Sequence, residues 1–156
     1  MGTGSLNKSV AGVFLLGGYT NIQKEGNVTK PTCQDANIML QLTQLYMTGG
    51  LPEALNWLFS DQFTPDYADF RKKYPPNSAG NIKAQKICAY FETVGTLWKH
   101  KLINEELLFD WFSVSAVWKR AKAYALGWRK QSGEQRLYEN FESMAKAHMK
   151  WQDQVG

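Results

Sequence analysis

Residues 79–101 have the sequence AGNIKAQKICAYFETVGTLWKHK, the clearest helical pattern in the chain. The 3.6-residue spacing of its apolar side chains predicts an amphipathic helix with one stripe facing a core. Gly95 interrupts the stripe and weakens the helix by roughly 1 kcal/mol relative to alanine. We therefore expect Gly95 to permit close helix packing. The stripe consists of Ile87, Tyr90, Phe91, Val94, Leu97 and Trp98.

Upstream of this helix, capping residues predict three further helices. The segment Thr32-Cys33-Gln34-Asp35 fits a capping box, in which a threonine and an acidic side chain bond each other's backbone amides. It predicts a helix over about residues 33–48. Pro52 suits the first turn of a short second helix, and Thr64-Pro65-Asp66 predicts the start of a third. The apolar face of the first of these helices is predicted to comprise Met39, Leu42, Leu45 and Tyr46.

Downstream, the sequence predicts one long helix and one final helix. Asn104 is a good N-cap, and the acidic pair Glu105 and Glu106 suits the positive end of a helix dipole. The helical pattern then continues until the break at Gln131-Ser132-Gly133. The segment Ser132-Gly133-Glu134-Gln135 is predicted to cap the last helix. The buried face of that helix is predicted to comprise Leu137, Phe141, Met144 and His148.

Together these elements predict an all-α, single-domain bundle of about five to six helices. The helical domain is expected over residues 32–156. Residues 1–31 hold six of the thirteen glycines and no sustained helical period, which predicts an irregular N-terminal arm. No strand pattern of comparable length and no internal repeat is visible. The side chains expected to share the core are Phe91, Trp98, Trp111 and Phe141.

Composition excludes several classes of protein. The chain has 156 residues, of which 44% are hydrophobic and 21% charged, as in an ordinary globular domain. The longest apolar run, residues 10–16, is far shorter than the roughly 20 residues that a membrane-spanning helix needs. The run also lacks the flanks of a signal peptide. We expect a cytoplasmic protein, or one on the cytoplasmic face of a membrane, with no transmembrane segment in this chain.

The sequence offers little for metal or nucleophilic chemistry. Cys33 and Cys88 do not form a disulfide framework, and we expect both thiols to be free in a reducing compartment. The two histidines, His100 and His148, lie far apart with no ligand at metal spacing, so no metal or cofactor is expected. The serines have no nucleophile-elbow motif. The sequence leaves open a catalytic triad in which folding brings a serine beside His100 or His148.

Three segments resemble the landmarks of a known family. They are ANIMLQL at residues 36–42, YFETVG at 90–95 with LINEEL at 102–107, and RLYENFE at 136–142. In order and spacing they resemble an uncharacterised, mainly bacterial all-helical domain family of unknown function. The resemblance implies an all-helical fold and no catalytic residues. Many members place a membrane anchor ahead of the domain, and this chain departs from them because residues 1–31 contain no spanning run.

Polar residues on otherwise apolar helices form a first candidate site. Glu92, Glu139 and Glu142 could bind a metal or act as acid and base. A helical-bundle metal centre usually needs Glu-x-x-His pairs, and none exists here. We therefore expect structural roles: pairing with cations such as Lys86, Lys99 or Arg136, bonding to a loop backbone, or holding the Asn104 turn. The full cluster comprises Glu92, Asn104, Arg136, Tyr138, Glu139, Asn140 and Glu142.

A basic and aromatic segment forms a second candidate. The net charge is +4, and the excess lies in the C-terminal half. Alternating cations and aromatic rings over residues 118–130 suit phosphate neutralisation with base stacking. Helix phasing also allows the rings to be the edge of the core and the cations a solvated face. The candidate interaction patch comprises Trp118, Lys119, Arg120, Lys122, Tyr124, Trp128, Arg129 and Lys130.

These observations favour a non-catalytic helical interaction module with a protein partner. Six tryptophans and 13% aromatic residues exceed what a minimal bundle needs, and tryptophan and tyrosine are preferred anchors at interfaces. The alternative is a binder of nucleic acid or of an anionic membrane surface that uses residues 118–130. An enzyme of unknown reaction is the third possibility.

Overall fold

The protein is described by a computed structural model over residues 29–155. This range contains α-helices and no strand, which confirms the all-α class. Most of the predicted arm, residues 1–31, lies outside the described residues. The helices are α1 (Cys33–Thr48), α2 (Leu51–Phe59), α3 (Tyr67–Lys73), α4 (Ala79–Lys99), α5 (Glu105–Trp111), α6 (Val114–Ser132) and α7 (Glu139–Val155).

The described range therefore has seven helices, and the prediction of five to six is wrong. The long helix predicted from Asn104 is interrupted at Phe112, whose backbone is extended (φ −109°, ψ 125°). This break turns the half-buried Phe112 ring toward Tyr90 and Phe91, with ring centroids 6.0 and 5.6 Å away. Packing of three aromatic rings outweighs local helix propensity here. No glycine or proline marks the break in the sequence.

The start of α1 confirms the predicted capping box. The hydroxyl of Thr32 accepts the Asp35 amide over 3.2 Å, and the Asp35 carboxylate accepts the Thr32 amide over 2.7 Å. These two bonds satisfy backbone donors that have no partner inside the helix. The capping box thus fixes the residue at which α1 begins.

The last helix begins later than predicted. Gly133 has a left-handed backbone (φ 76°) and ends α6, so it does not open α7. Tyr138 also has a positive φ of 60°, and its ring is buried. The left-handed residue interrupts the helical pattern, and α7 begins at Glu139.

The core is centred on α4, which packs most extensively against α7. Phe91 and Phe141 are fully buried, as the sequence predicts, and their rings stack with centroids 5.0 Å apart. Trp98 and Trp111 are half-buried at the edge of the core. Gly95 lies where the two helices are closest, because a Cβ there would stand 2.6 Å from the carbonyl carbon of Asn140.

Two further predictions concern thiols and membranes. Cys33 is exposed, Cys88 is buried, and both are free, as predicted. Burial raises the pKa of the Cys88 thiol, which keeps it protonated and unreactive. Within residues 29–155, no helix has the length and apolar character needed to cross a bilayer.

Candidate functional site

Glu92 on α4 faces the first turn of α7. Its Oε2 atom accepts the backbone amides of Asn140 and Phe141 over 3.1 and 2.9 Å, and its Oε1 atom accepts the Asn140 side-chain amide over 2.9 Å. The first amides of a helix have no partner within it, and the helix dipole favours a negative charge there. Glu92 therefore serves as the N-terminal cap of α7, supplied by a neighbouring helix.

Asn140 on α7 contributes further hydrogen bonds to the same contact between α4 and α7. Its Nδ2 atom donates to Thr96 Oγ1 over 3.0 Å as well as to Glu92. Its Oδ1 atom is buried without a hydrogen-bond partner in the described structure. The helices α4 and α7 are thus joined by a close backbone approach at the buried Gly95 and by the polar contacts of Glu92 and Asn140 about one turn away.

Arg129 and Glu142 join α6 to α7. The Arg129 guanidinium donates to the Leu137 carbonyl from Nε (2.8 Å) and to Glu142 Oε2 from Nη1 (2.9 Å). The two side chains are 19% and 21% exposed, so this ion pair is partly shielded from water. Hydrogen bonds from Lys146, and secondly from Arg129, lower the pKa of Glu142. The pair holds the turn that precedes α7.

Arg136 and Glu139 form a more exposed pair at the same end of the bundle. The shortest contact, between Arg136 Nη2 and Glu139 Oε1, is 2.5 Å, and Lys99 Nζ lies 3.4 Å from the same oxygen. The Arg136 hydrogen bond lowers the pKa of Glu139. Exposed ion pairs of this kind contribute little stability.

Asn104 lies apart from these residues, beside α1. Its backbone amide donates to Asp35 Oδ1 over 2.7 Å, and its side chain accepts the Leu107 amide over 3.0 Å. The acid that holds the Asn104 turn is therefore Asp35, and not Glu92, Glu139 or Glu142. A hydrogen bond from the Thr32 hydroxyl is the main cause of a lowered Asp35 pKa. Tyr138 is buried, and its burial raises the pKa of its hydroxyl.

The aromatic residues of the basic segment lie mostly inside the fold. Trp118 is buried with its ring 4.9 Å from Phe141, and Tyr124 is buried with its ring 4.9 Å from Phe70. Trp128 is half-buried, and the Arg71 guanidinium lies 5.4 Å from its ring centroid. These three rings are not available together on one surface.

Arg120 caps the C-terminal end of α2. Its guanidinium donates to the Leu58 carbonyl from Nε (3.1 Å) and Nη2 (2.9 Å), and to the Ser60 carbonyl from Nη2 (3.3 Å). The last carbonyls of a helix lack intrahelical donors, so a cation is well placed there. Of the five cations in the segment, those that point outward are Lys119, Lys122 and Lys130.

His148 is a residue whose role the sequence did not reveal. It is buried, and its Nδ1 atom lies 2.8 Å from Ser115 Oγ and accepts the Ser115 amide over 3.3 Å. Burial lowers its pKa, and a hydrogen bond with the Phe109 backbone works in the opposite direction. The only sequence signal was its place on the predicted buried face of the last helix.

The Ser115–His148 pair has the separation of a nucleophile and its base. The Ser115 hydroxyl, however, also donates to Gln152 Oε1 over 3.0 Å, and the Ser115 amide occupies the histidine nitrogen. A small cavity of the described structure lies elsewhere, beside Trp128. The geometry is that of a cap for the first turn of α6. Over residues 29–155, no group of three histidine, cysteine or acidic side chains could hold a metal ion.

The fold and these contacts define a class: an all-helical domain whose helix ends are closed by side chains from neighbouring helices. Residues 31–151 match the family described as Domain of unknown function (DUF4760), and the chain belongs to that family. The match includes every segment that carried the sequence resemblance. Comparison with curated proteins and with solved structures gave no match.

Proposed function

We propose that this domain is a non-catalytic interaction module that binds a protein partner through α1. The composition of the outward side of α1 carries the proposal. Ten side chains of this helix are exposed, and none of them is charged. The cores of protein interfaces are depleted of charged residues in the same way. The ten are Cys33, Gln34, Ala36, Asn37, Leu40, Gln41, Gln44, Leu45, Met47 and Thr48.

Large apolar side chains are prominent among these ten. Leu40, Leu45 and Met47 are 67%, 56% and 64% exposed. A single exposed apolar residue is ordinary, whereas Leu40 and Met47 share one face of α1 with no exposed charged residue on the helix, which is typical of a docking surface. The exposed side of α6, by contrast, carries Lys119 and Lys122.

The buried side of α1 is fixed to the rest of the fold, which favours binding by its exposed side. Leu42 is buried, and the Tyr90 hydroxyl donates to the Leu42 carbonyl over 2.9 Å. Asp35 ties the start of α1 to Asn104. A surface that is already ordered loses little conformational entropy when a partner binds. The thiols of Cys33 and Cys88 are free, which is typical of a reducing compartment, so we place the binding of the partner in the cytoplasm.

The alternative binding role of residues 118–130 has less support. Phosphate binding with base stacking needs exposed rings and free cations together. Trp118 and Tyr124 are buried, while Arg120 and Arg129 are engaged by internal carbonyls. Of the five cations in this segment, only Lys119, Lys122 and Lys130 remain exposed to solvent.

Site-specific photo-crosslinking tests the proposed function. A photoreactive phenylalanine analogue replaces Leu40 in the full chain, produced in its native host, and Leu126 on α6 is the matched control because it is 41% exposed. We expect a covalent protein adduct from position 40 and none from position 126. The proposal is wrong if position 40 gives no adduct, or if both positions give the same adducts.

A further inference from the structure

We infer that the partner bound by α1 is a second copy of this chain, packed antiparallel along α1. The inference rests on the proposed function of α1 and adds the identity and orientation of the partner. It is carried by the spacing, the size order and the charge of the residues along one stripe of the helix.

The stripe, here called the α1 seam, consists of small or apolar residues separated by three, four, three and four positions. This is the a/d spacing of helices that pack along their length. At about 100° per residue the seam spans roughly 80° of the helix circumference. It is separate from the inward stripe around the buried Leu42. The seam residues are Cys33, Ala36, Leu40, Thr43 and Met47.

The polar group within the seam is already satisfied. The Thr43 hydroxyl donates to the Met39 carbonyl over 2.8 Å, so the residue needs no partner from outside the helix. Packing against Thr43 would therefore leave no donor unpaired.

The size order along the seam is complementary to itself. Small residues, Cys33 and Ala36, lie toward the N-terminus, and the long Met47 lies at the C-terminal end. In an antiparallel pair centred on Leu40, Cys33 faces Met47 of the second copy, and Ala36 lies near Thr43, offset by about 1.5 Å along the axis. Small residues then oppose larger ones, which is how helices reach close packing. A two-fold axis near Leu40 makes the same patch serve both copies.

The absence of exposed charge makes α1 suitable for contact between two copies. In a two-fold contact a patch faces a second copy of itself, so a patch of net positive charge on this chain of net charge +4 would face an equally positive patch. The exposed side of α1 avoids that repulsion because it has no charged residue. The same neutrality disfavours an anionic membrane, whose binding needs basic side chains beside the apolar face.

The first test measures the mass of the protein in solution. We expect sedimentation of the wild-type chain to give twice the chain mass of 17.8 kDa. Leu40→Glu places two carboxylates near the axis and should weaken dimerisation at least tenfold, while circular dichroism stays unchanged because Leu40 is exposed. Leu126→Glu on α6 is the control and should remain dimeric. A wild-type monomer at high concentration overturns the inference.

The second test measures orientation through disulfide formation. In the antiparallel pair, Met47→Cys places a new thiol opposite Cys33 of the second copy, so mild oxidation should give a covalent dimer. Cys33→Ser in the same variant should abolish it, and Met149→Cys, on exposed Met149 of α7, should give none. Cys88 is buried and does not compete. Two Cys33 residues would lie roughly 21 Å apart along the axis, so a wild-type covalent dimer would show a parallel pair and overturn the orientation.

The two experiments separate this inference from the proposed function. A photo-adduct at position 40 with a different protein, together with a monomeric wild-type chain, overturns self-association and leaves the interaction role standing. The absence of any adduct at position 40 overturns both.

Discussion

The carboxylate of Glu92 on α4 accepts the backbone amide of Phe141 at the start of α7 over 2.9 Å. The same relationship recurs elsewhere in the bundle. His148 on α7 accepts the Ser115 amide at the start of α6, and Arg120 on α6 donates to the Leu58 carbonyl at the end of α2. Each contact satisfies a backbone group that its own helix leaves unpaired. Helix ends are thereby tied to the tertiary fold.

Replacing Glu92 tests this relationship directly. Glu92→Gln removes the negative charge and leaves the amides of Asn140 and Phe141 with a weaker acceptor. We expect the free energy of unfolding to fall by about 1–3 kcal/mol in urea titrations. Glu106→Gln, at an exposed position in the first turn of α5, should change it by less than about 0.5 kcal/mol. Equal effects of the two substitutions would contradict the capping role.

Gly95 provides a second test, because an alanine there meets the backbone of α7. Alanine improves helix propensity by about 1 kcal/mol, but its Cβ would lie 2.6 Å from the carbonyl carbon of Asn140, and overpacking costs about 1–3 kcal/mol. We expect Gly95→Ala to lower the thermal midpoint. Ala89→Gly, at an exposed position on the same helix, measures the propensity effect alone. A more stable Gly95→Ala variant would show that the helices are not in close contact.

His148 should make stability depend on pH. Burial lowers its folded-state pKa below the ordinary value of 6.5, so the unfolded chain binds a proton more readily between those two values. The stabilising contribution is complete above about pH 6.5 and is lost as pH falls below it. Urea midpoints measured from pH 8 to pH 5 should show this decline.

Two variants check the assignment of that pH dependence. His148→Gln should reduce the slope below pH 6.5, whereas His100→Gln, at an exposed position, should leave it as in the wild-type chain. If the slope survives in His148→Gln and disappears in His100→Gln, the buried histidine is not its source.

The helices that the sequence predicts well are those with local signals. The capping box of α1 and the stripe of α4 depend on residues a few positions apart, so they are readable in the chain. The break at Phe112 depends on rings contributed by α4, and no local pattern encodes it. Leu45 was predicted on the inward face of α1 and is 56% exposed, because the neighbouring helices cover a narrower stripe than the apolar pattern offers.

The polar contacts likewise divide into local ones, which the sequence indicates, and long-range ones, which it does not. Glu139 and Arg136 are only three positions apart, so the sequence indicates this pair even though Arg136 lies in the turn before α7. Asp35 and Asn104 are separated by 69 positions, and the bond between them depends on the fold bringing the start of α1 beside the Asn104 turn. The sequence did not indicate the capping role of Arg120 either, because the Leu58 carbonyl that it caps lies on α2, far away in the chain. Sequence spacing alone does not identify caps that come from another helix.

The last prediction compares Arg120 and Lys119, two neighbouring cations whose replacement should affect the free energy of unfolding differently. Arg120→Gln removes the guanidinium that caps α2 and should lower the free energy of unfolding by about 1.5–3 kcal/mol, the range for hydrogen bonds to charged groups. Lys119→Gln, at an exposed position, should change it by less than about 0.5 kcal/mol. A nucleic-acid interface would give a different result: both substitutions would leave stability unchanged and reduce affinity for mixed-sequence DNA by similar factors, since each removes one cation. Urea unfolding and a fluorescence titration at physiological salt distinguish the two outcomes, and submicromolar DNA binding lost in both variants would contradict the capping role of Arg120.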